Sequence, residues 1–318
     1  MRRATAAALA AVGPDTPGYG FILGMNAFSL EEAGAMGEAE RAGRRAVELE
    51  PADAWAVHAV SHVFEMRGRV AAGTRWLNET RGGWSACNNF AYHLAWHLAL
   101  YELEAGRFDE VLHLYDTEVR PTGSDDFRDM ANAVSLLWRL EQLDVDVGGR
   151  WEALATIAGR RRTDTSYVFA SLHYLLALLA RGDLAAADEL VAGLGESAAY
   201  ATDTSVTQHR VARDIGLPLA ELLLRAHRTK GHMSWLSTDM VRIAGDLPRI
   251  GGSHAQRDLF LRTLIDVAAQ AGDRVGFAAV TRMRAELKAL DRFAVAAERR
   301  AGQARVRSSA VNRLAAAG

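Results

Sequence analysis

Asp53-Ala54-Trp55-Ala56-Val57-His58-Ala59-Val60-Ser61-His62-Val63-Phe64-Glu65 and Asn88-Asn89-Phe90-Ala91-Tyr92-His93-Leu94-Ala95-Trp96-His97-Leu98-Ala99-Leu100-Tyr101 open two successive helical hairpins within Ala52 to Asp116. Apolar residues recur in both at three- and four-residue spacing, the signature of a helix packed along one face. Each segment carries a His-x-x-x-His pair. Residues four apart on a helix lie one turn apart on the same face, so each helix presents two imidazoles on one stripe, and Glu65 extends the first stripe.

The same punctuation recurs along the chain. Gly68-Arg69, Gly106-Arg107, Gly182-Asp183 and Gly272-Asp273 each follow an apolar helix and precede one richer in Ala and charge. A glycine there supplies the left-handed residue that ends a helix. Gly34 to Gly68 spans 34 residues, Gly68 to Gly106 spans 38, and Gly106 to Gly182 spans 76, twice 38. A helix–turn–helix unit at that period predicts an all-α fold: a tetratricopeptide-like helical-hairpin solenoid, a right-handed superhelix of antiparallel helix pairs. About fourteen helices are expected. Tyr19 to Glu32 and Gly37 to Leu49 form the first hairpin, with Pro51 stopping it. Asp125 to Leu143 with Trp151 to Gly159, and Ser166 to Ala180 with Leu184 to Leu194, follow the two His-bearing pairs. Thr204 to His227 is expected to kink at Gly216-Leu217-Pro218. Ser234 to Asp246 comes next, and Ser253 to Gln270 with Arg274 to Leu290 close the series. No linker breaks the pattern, so residues 1–318 read as a single helical-repeat domain: a remnant helix over 1–18, repeats over 19–292, and a capping or fraying helix over 293–318.

Composition bounds the function classes. The 318 residues are 49% hydrophobic, with a formal net charge of −2 and a pI near 6.6. This gives no electrostatic case for nucleic acid or a membrane surface. No apolar run approaches the roughly 18–20 residues of a membrane span. The single cysteine, Cys87, excludes an internal disulfide framework and fits a reducing, cytoplasmic setting. The start, Met1-Arg2-Arg3 followed by Ala4 to Val12, has a faint likeness to a signal peptide; helix-forming alanine explains it equally well.

In such a solenoid the first helices of successive units line one groove. His58, His62, Glu65, His93 and His97 all lie on first helices, so they are candidates for one catalytic or ligand-contacting site. Imidazole is the commonest protein metal ligand and the commonest acid–base group near neutral pH. Two His pairs suit a divalent transition metal as cofactor, with His58, His62, His93 and His97 as ligands. The His-Glu-x-x-His pattern of zinc proteases is absent. The plainer reading is a hydrogen-bonded polar stripe in which His58 or His62 partners Glu65. Trp96, Asn89 and Asp116 are candidate binding residues beside it; Trp55, Trp76 and Trp84 read as core and groove wall. Cys87 near His93 is a weak nucleophile candidate.

Arg249-Ile250-Gly251-Gly252-Ser253-His254-Ala255-Gln256-Arg257-Asp258 is the second stretch of interest. Ser253 and Gln256 fit a helix capping box. That leaves His254 as a candidate catalytic residue, with Asp258 four residues on to orient it. Arg257 and the helix N-terminal amides would serve an anionic or carbonyl ligand. Arg213-Asp214, just before Pro218, is a weaker candidate for binding. A strongly curved superhelix would bring this motif and the His pairs across one groove into a single composite site.

At these residues the chain resembles the tetratricopeptide repeat protein 38 family. The likeness rests on His58-Ala59-Val60-Ser61-His62-Val63-Phe64-Glu65-Met66, His93 to Tyr101, Leu114-Tyr115-Asp116, Arg213-Asp214-Ile215-Gly216-Leu217-Pro218-Leu219, and Gly251 to Asp258. It covers roughly Tyr19 to Leu290. The resemblance implies an all-helical solenoid and carries no settled activity. Members of that family have a further helical region ahead of Tyr19, where this chain has about eighteen residues. The first hairpin is therefore expected to expose an apolar flank unless Ala4 to Val12 cap it, and to meet a second copy or a partner chain there.

Three functions compete. The first is a small polar ligand in a His-rich groove, with hydrolysis, elimination or another acid–base step if the protein is an enzyme. The second is a protein-interaction module gripping a peptide or helix. The third is a repeat scaffold with incidental histidines. Peptide-carboxylate clamps favour Lys, Arg and Asn, whereas these stripes carry His and Glu, which favours the first.

Overall fold

The structure, a computed structural model, describes residues 2–203, 205–230 and 237–302. Those residues are all-helical, without a strand. The chain falls into two compact units, one of residues 1–124 with Leu287–Ala289, the other of 125–286 with 290–318.

Unit 1 runs through α1 (Arg2–Ala11), α2 (Tyr19–Glu31), α3 (Met36–Leu49), α4 (Ala54–Met66), α5 (Val70–Glu79), the single turn α6 (Arg81–Trp84), α7 (Phe90–Ala105) and α8 (Phe108–Leu114), which passes into a π-helical turn at Tyr115–Val119. Successive helices from α1 to α6 pack on one another, as do α7 and α8, and α2 packs on α4, α4 on α6 and α7, and α5 on α7 as well. Asp53 starts α4, its carboxylate accepting from the amides of Trp55 and Ala56 at 3.0 Å each. That takes up two of the four amides a helix start leaves open. α2 lies close on this cap because Gly24 has no side chain: a Cβ there would stand 2.3 Å from the Asp53 carboxylate. The close approach carries Phe28 and Glu31, on the later turns of α2, onto the His face of α4. On the other side, Trp76 donates to the Val57 carbonyl at 3.0 Å and Tyr101 to the Ser61 carbonyl at 2.6 Å, pinning α5 and α7 to α4.

α1 packs on α2, with Thr5 hydrogen-bonded to Asn26 and Ser29. Phe21 and Met25 of α2 nevertheless stay exposed, at 46% and 51%.

Unit 2 contains α9 (Phe127–Glu141), α10 (Trp151–Arg160), α11 (Val168–Arg181), α12 (Leu184–Ala199), α13 (Thr207–Val211), α14 (Leu217–Thr229), α15 (Ser237–Asp246), α16 (His254–Ala271) and α17 (Arg274–Leu287), with further helical turns over 292–302. The described residues thus hold seventeen named helices, against the fourteen expected. The excess comes from single-turn pieces such as α6 and α13 and from α1. Gly68, Gly106, Gly182 and Gly272 all have positive φ at the helix ends where the sequence places them. The expected break before Pro218 is a π-helical turn at Ala212–Gly216 between α13 and α14, one of the ways a helix absorbs a proline. Residues 231–236, where a helix was expected to begin at Ser234, and the tail beyond 302 lie outside the described residues. Among those described, no helix is long and apolar enough to cross a membrane.

Candidate functional site

α4 and α7 place their His pairs face to face. His58, His62, His93 and His97 each offer a ring nitrogen, and the four nitrogens lie within 4.8 Å of one another. The rings touch, with centroids 4.2 Å apart for His58 and His62 and 4.7 Å for His62 and His97. Nε2 of His58 stands 2.9 Å from Nε2 of His93. Three of the four rings are enclosed; His93 is partly exposed.

Each inner imidazole is held from behind by a buried carboxylate, His62 by one of α2 and His97 by one of α4. His62 Nδ1 donates to Glu31 at 3.3 Å, and His97 Nδ1 donates to Glu65 at 3.0 Å. The expectation that His58 or His62 partners Glu65 is therefore corrected. The acid at the end of α4 serves the histidine of α7, and the acid at the end of α2 serves the histidine of α4. Glu65 has a second partner, Lys288, with Nζ 2.9 Å from Oε1. These anchors orient the rings so that Nε2 of His62 and of His97 turn inward. Neither atom has a hydrogen-bond partner among the described residues.

The electrostatics follow from enclosure. Burial pushes His58 well below the ordinary imidazole value, and the three neighbouring histidines add to it. Burial likewise takes His97 down to about 4 against the pull of Glu65. For His62 burial is outweighed by Glu31, with Glu65 and Glu32 adding, and its pKa rises. Glu65 would be raised by burial, but Lys288 and His97 hold it well below the usual carboxylate range.

An aromatic collar surrounds the cluster. Phe28 stacks on His58 at 5.5 Å, and Phe90 and Trp96 stack on His93 at 5.8 and 5.2 Å. Trp55, 36% exposed, lies against His58 and Phe90 on the same side. Such a shell restricts water and lowers the local dielectric.

The other expected residues fall elsewhere. Asn89 is the cap residue of α7. Asp116 is exposed on the π-helical turn after α8, and Cys87 is exposed. Arg213 pairs with Asp214 at 2.6 Å on the surface, where Arg249 joins them. In unit 2, Ser253 and Gln256 form the expected capping box at the start of α16. His254 opens that helix, partly buried, and Arg257 donates to the Gly252 carbonyl. Asp258 is buried against Arg284, Nε to Oδ1 2.6 Å, with Arg139 at 3.8 Å, an ion-pair network of structural character. The His quartet belongs to unit 1 and the 254–258 motif to unit 2. Unit 2 also has a cavity of about 290 Å³ bordered by Trp138, Gln142, Asp266 and Arg300, which none of the residues singled out from sequence lines.

Sequence reasoning missed Glu31 and Lys288. Glu31 was within reach: Glu31 and Glu65 each precede a helix-ending glycine, Gly34 and Gly68, by three residues. Lys288 has no such register. No protein-family model matches the chain.

Proposed function

We propose that this protein binds a divalent transition-metal ion at His58, His62, His93 and His97. The observation that carries the reading is the pair of inward, unpartnered Nε2 atoms of His62 and His97, each on a ring whose Nδ1 is anchored by a buried carboxylate. Metal-ligating histidines characteristically donate their other N–H to a carboxylate in this way. A four-nitrogen set suits zinc, copper, nickel or cobalt over magnesium or calcium, which prefer oxygen. Two nitrogens on one ion at about 2.1 Å and a near-tetrahedral angle lie roughly 3.4 Å apart, a separation compatible with four nitrogens within 4.8 Å of one another.

The ion would serve a small polar ligand on the His93 side, where the cluster meets solvent, by polarising it for acid–base or hydrolytic chemistry. The finer fold reading, a tetratricopeptide-like solenoid of the tetratricopeptide repeat protein 38 type, rests on the glycine spacing and the motif order, and we carry it as part of this proposal. The test is titration of chelator-treated protein with Zn²⁺ and Co²⁺. The expected result is saturable binding, intense visible absorption bands of tetrahedral Co²⁺, and loss of both in His62→Ala and His97→Ala. Absence of binding in the wild-type chain would refute the reading.

A further inference from the structure

The two carboxylates behind the His quartet are built alike but finished differently. Glu65 gives one oxygen to His97 and the other to Lys288 Nζ. Glu31 gives one oxygen to His62, 3.3 Å from Nδ1, while its other oxygen, Oε1, has no hydrogen-bond partner among the described residues, although Glu31 is wholly buried. Beside Glu31 stands a second carboxylate, Glu32. One oxygen of Glu31, one of Glu32 and one nitrogen of His62 come within 4.8 Å of one another. A carboxylate oxygen enclosed without a partner is costly. Two carboxylates and an imidazole that converge are a cation site.

We infer that Glu31, Glu32 and His62 hold a second divalent transition-metal ion, bridged to the first by the His62 ring. This rests on the four-histidine reading, because His62 would give Nε2 to the first ion and Nδ1 to the second. A ligand nitrogen and a carboxylate oxygen on one ion, each about 2.1 Å from it, are roughly 3.4 Å apart at a near-tetrahedral angle; Nδ1 stands 3.3 Å from Glu31, close to that separation. The second ion takes the place of the Nδ1 proton, which leaves to solvent, so that the bridging ring becomes an imidazolate. The two carboxylates neutralise the divalent charge, as Lys288 neutralises Glu65 on the other side, and the imidazolate charge is shared between the two ions. The resulting ligand set is unequal, nitrogens at one ion and mostly oxygens at the other. The oxygen-rich ion, with three protein ligands, keeps room for water or substrate.

The experiment uses the full chain, with metal content measured after gel filtration and Cu²⁺ loading followed by electron paramagnetic resonance. The expected result is two ions per chain at saturation. The Cu²⁺ signal should grow over the first equivalent and fall over the second, as the imidazolate couples the two spins. Glu31→Gln and, as a milder change at a partly exposed position, Glu32→Gln should each bind one ion and keep an uncoupled signal; thermal melts verify that both fold. One ion in the wild type, unchanged in both variants, would overturn the second site and leave the four-histidine site standing. Two ions retained in both variants would overturn it too, by placing the second ion elsewhere. No ion at all would overturn both.

Discussion

Glu65 and Lys288, 223 positions apart in the chain, form an ion pair with Nζ 2.9 Å from Oε1, both side chains at most 5% exposed. The lysine lies in Leu287–Ala289, which belongs to unit 1, and the Ala289 amide donates to the Met66 carbonyl at the end of α4. Lys288→Met would leave Glu65 charged, enclosed and served by His97 alone. Removing one partner of a buried pair costs about 3–5 kcal/mol. Urea denaturation should show a loss of that order, with a good part recovered in the double variant Lys288→Met/Glu65→Gln, where position 65 no longer carries a buried charge.

A second prediction concerns Gly73, on α5 where it meets α7. A Cβ at this position would lie 2.2 Å from the Tyr101 ring. The ring is 1% exposed and tethered through its hydroxyl to the Ser61 carbonyl, so it has little room to yield. Gly→Ala inside a helix ordinarily gains up to about 1 kcal/mol; overpacking costs about 1–3 kcal/mol. Overpacking should win, and Gly73→Ala should lower the melting temperature. A rise would mean that α5 moves freely away from α7.

How much of this was legible follows from which contacts are local. The helices, their glycine ends and the Ser253–Gln256 capping box are set within a few residues, and the sequence shows them. The grouping of His58, His62, His93 and His97 was also legible, because four-residue spacing puts each pair on one face of its helix, and α4 packs on α7. The partner of Glu65 was misassigned by looking within its own helix at three- and four-residue spacing; the acid in fact serves His97, 32 residues on. Repeating that relation one unit earlier yields Glu31 and His62, 31 apart. Lys288 was beyond reach, since nothing in helical periodicity records which distant segment fills the gap behind Glu65. The Arg284 network was hidden likewise: Asp258 reads from spacing as the partner of His254, whereas its partner Arg284 lies 26 residues on.

That network supports a third prediction. Arg284, 4% exposed, lies between Asp258 and Asp291, with Phe293 5.3 Å from its guanidinium carbon. Burial works against its charge, and the two carboxylates more than offset that, raising its pKa. Arg284→Met takes the shared cation from two buried carboxylates, of which Asp258 keeps Arg139 at 3.8 Å, and should destabilise the chain by about 3–5 kcal/mol. Arg284→Lys should recover only part, because an ammonium cannot present the planar fork that reaches both acids. If Arg284→Lys proved as stable as wild type in urea, the two-sided geometry would be immaterial.

The last prediction is a pH dependence that belongs to unit 2 and is independent of any metal. His173, on α11, is 1% exposed, and Nδ1 lies 2.7 Å from the Phe169 carbonyl. A carbonyl only accepts, so Nδ1 carries the proton and Nε2 is the atom that titrates. The ring stands edge-on to Phe260 at 5.2 Å and against Phe169 at 4.4 Å. A charge there would be poorly solvated, and burial, aided by the Arg139 charge, brings the pKa from 6.5 down to about 4 although the Phe169 hydrogen bond pulls upward. The folded chain therefore binds this proton less readily than the unfolded chain. Between about pH 6.5 and 4 the unfolded state holds the extra proton, so stability rises with pH across that window and falls on acidification. The full contribution is present above pH 6.5 and gone below about 4, and a shift of this size corresponds to roughly 3 kcal/mol. His173→Asn keeps a side-chain donor but cannot titrate. In urea denaturation of chelator-treated protein at several pH values, the gap in stability between wild type and His173→Asn should narrow by that order from pH 7 to pH 4. Parallel curves would show that His173 protonates as easily in the folded chain as in the unfolded one.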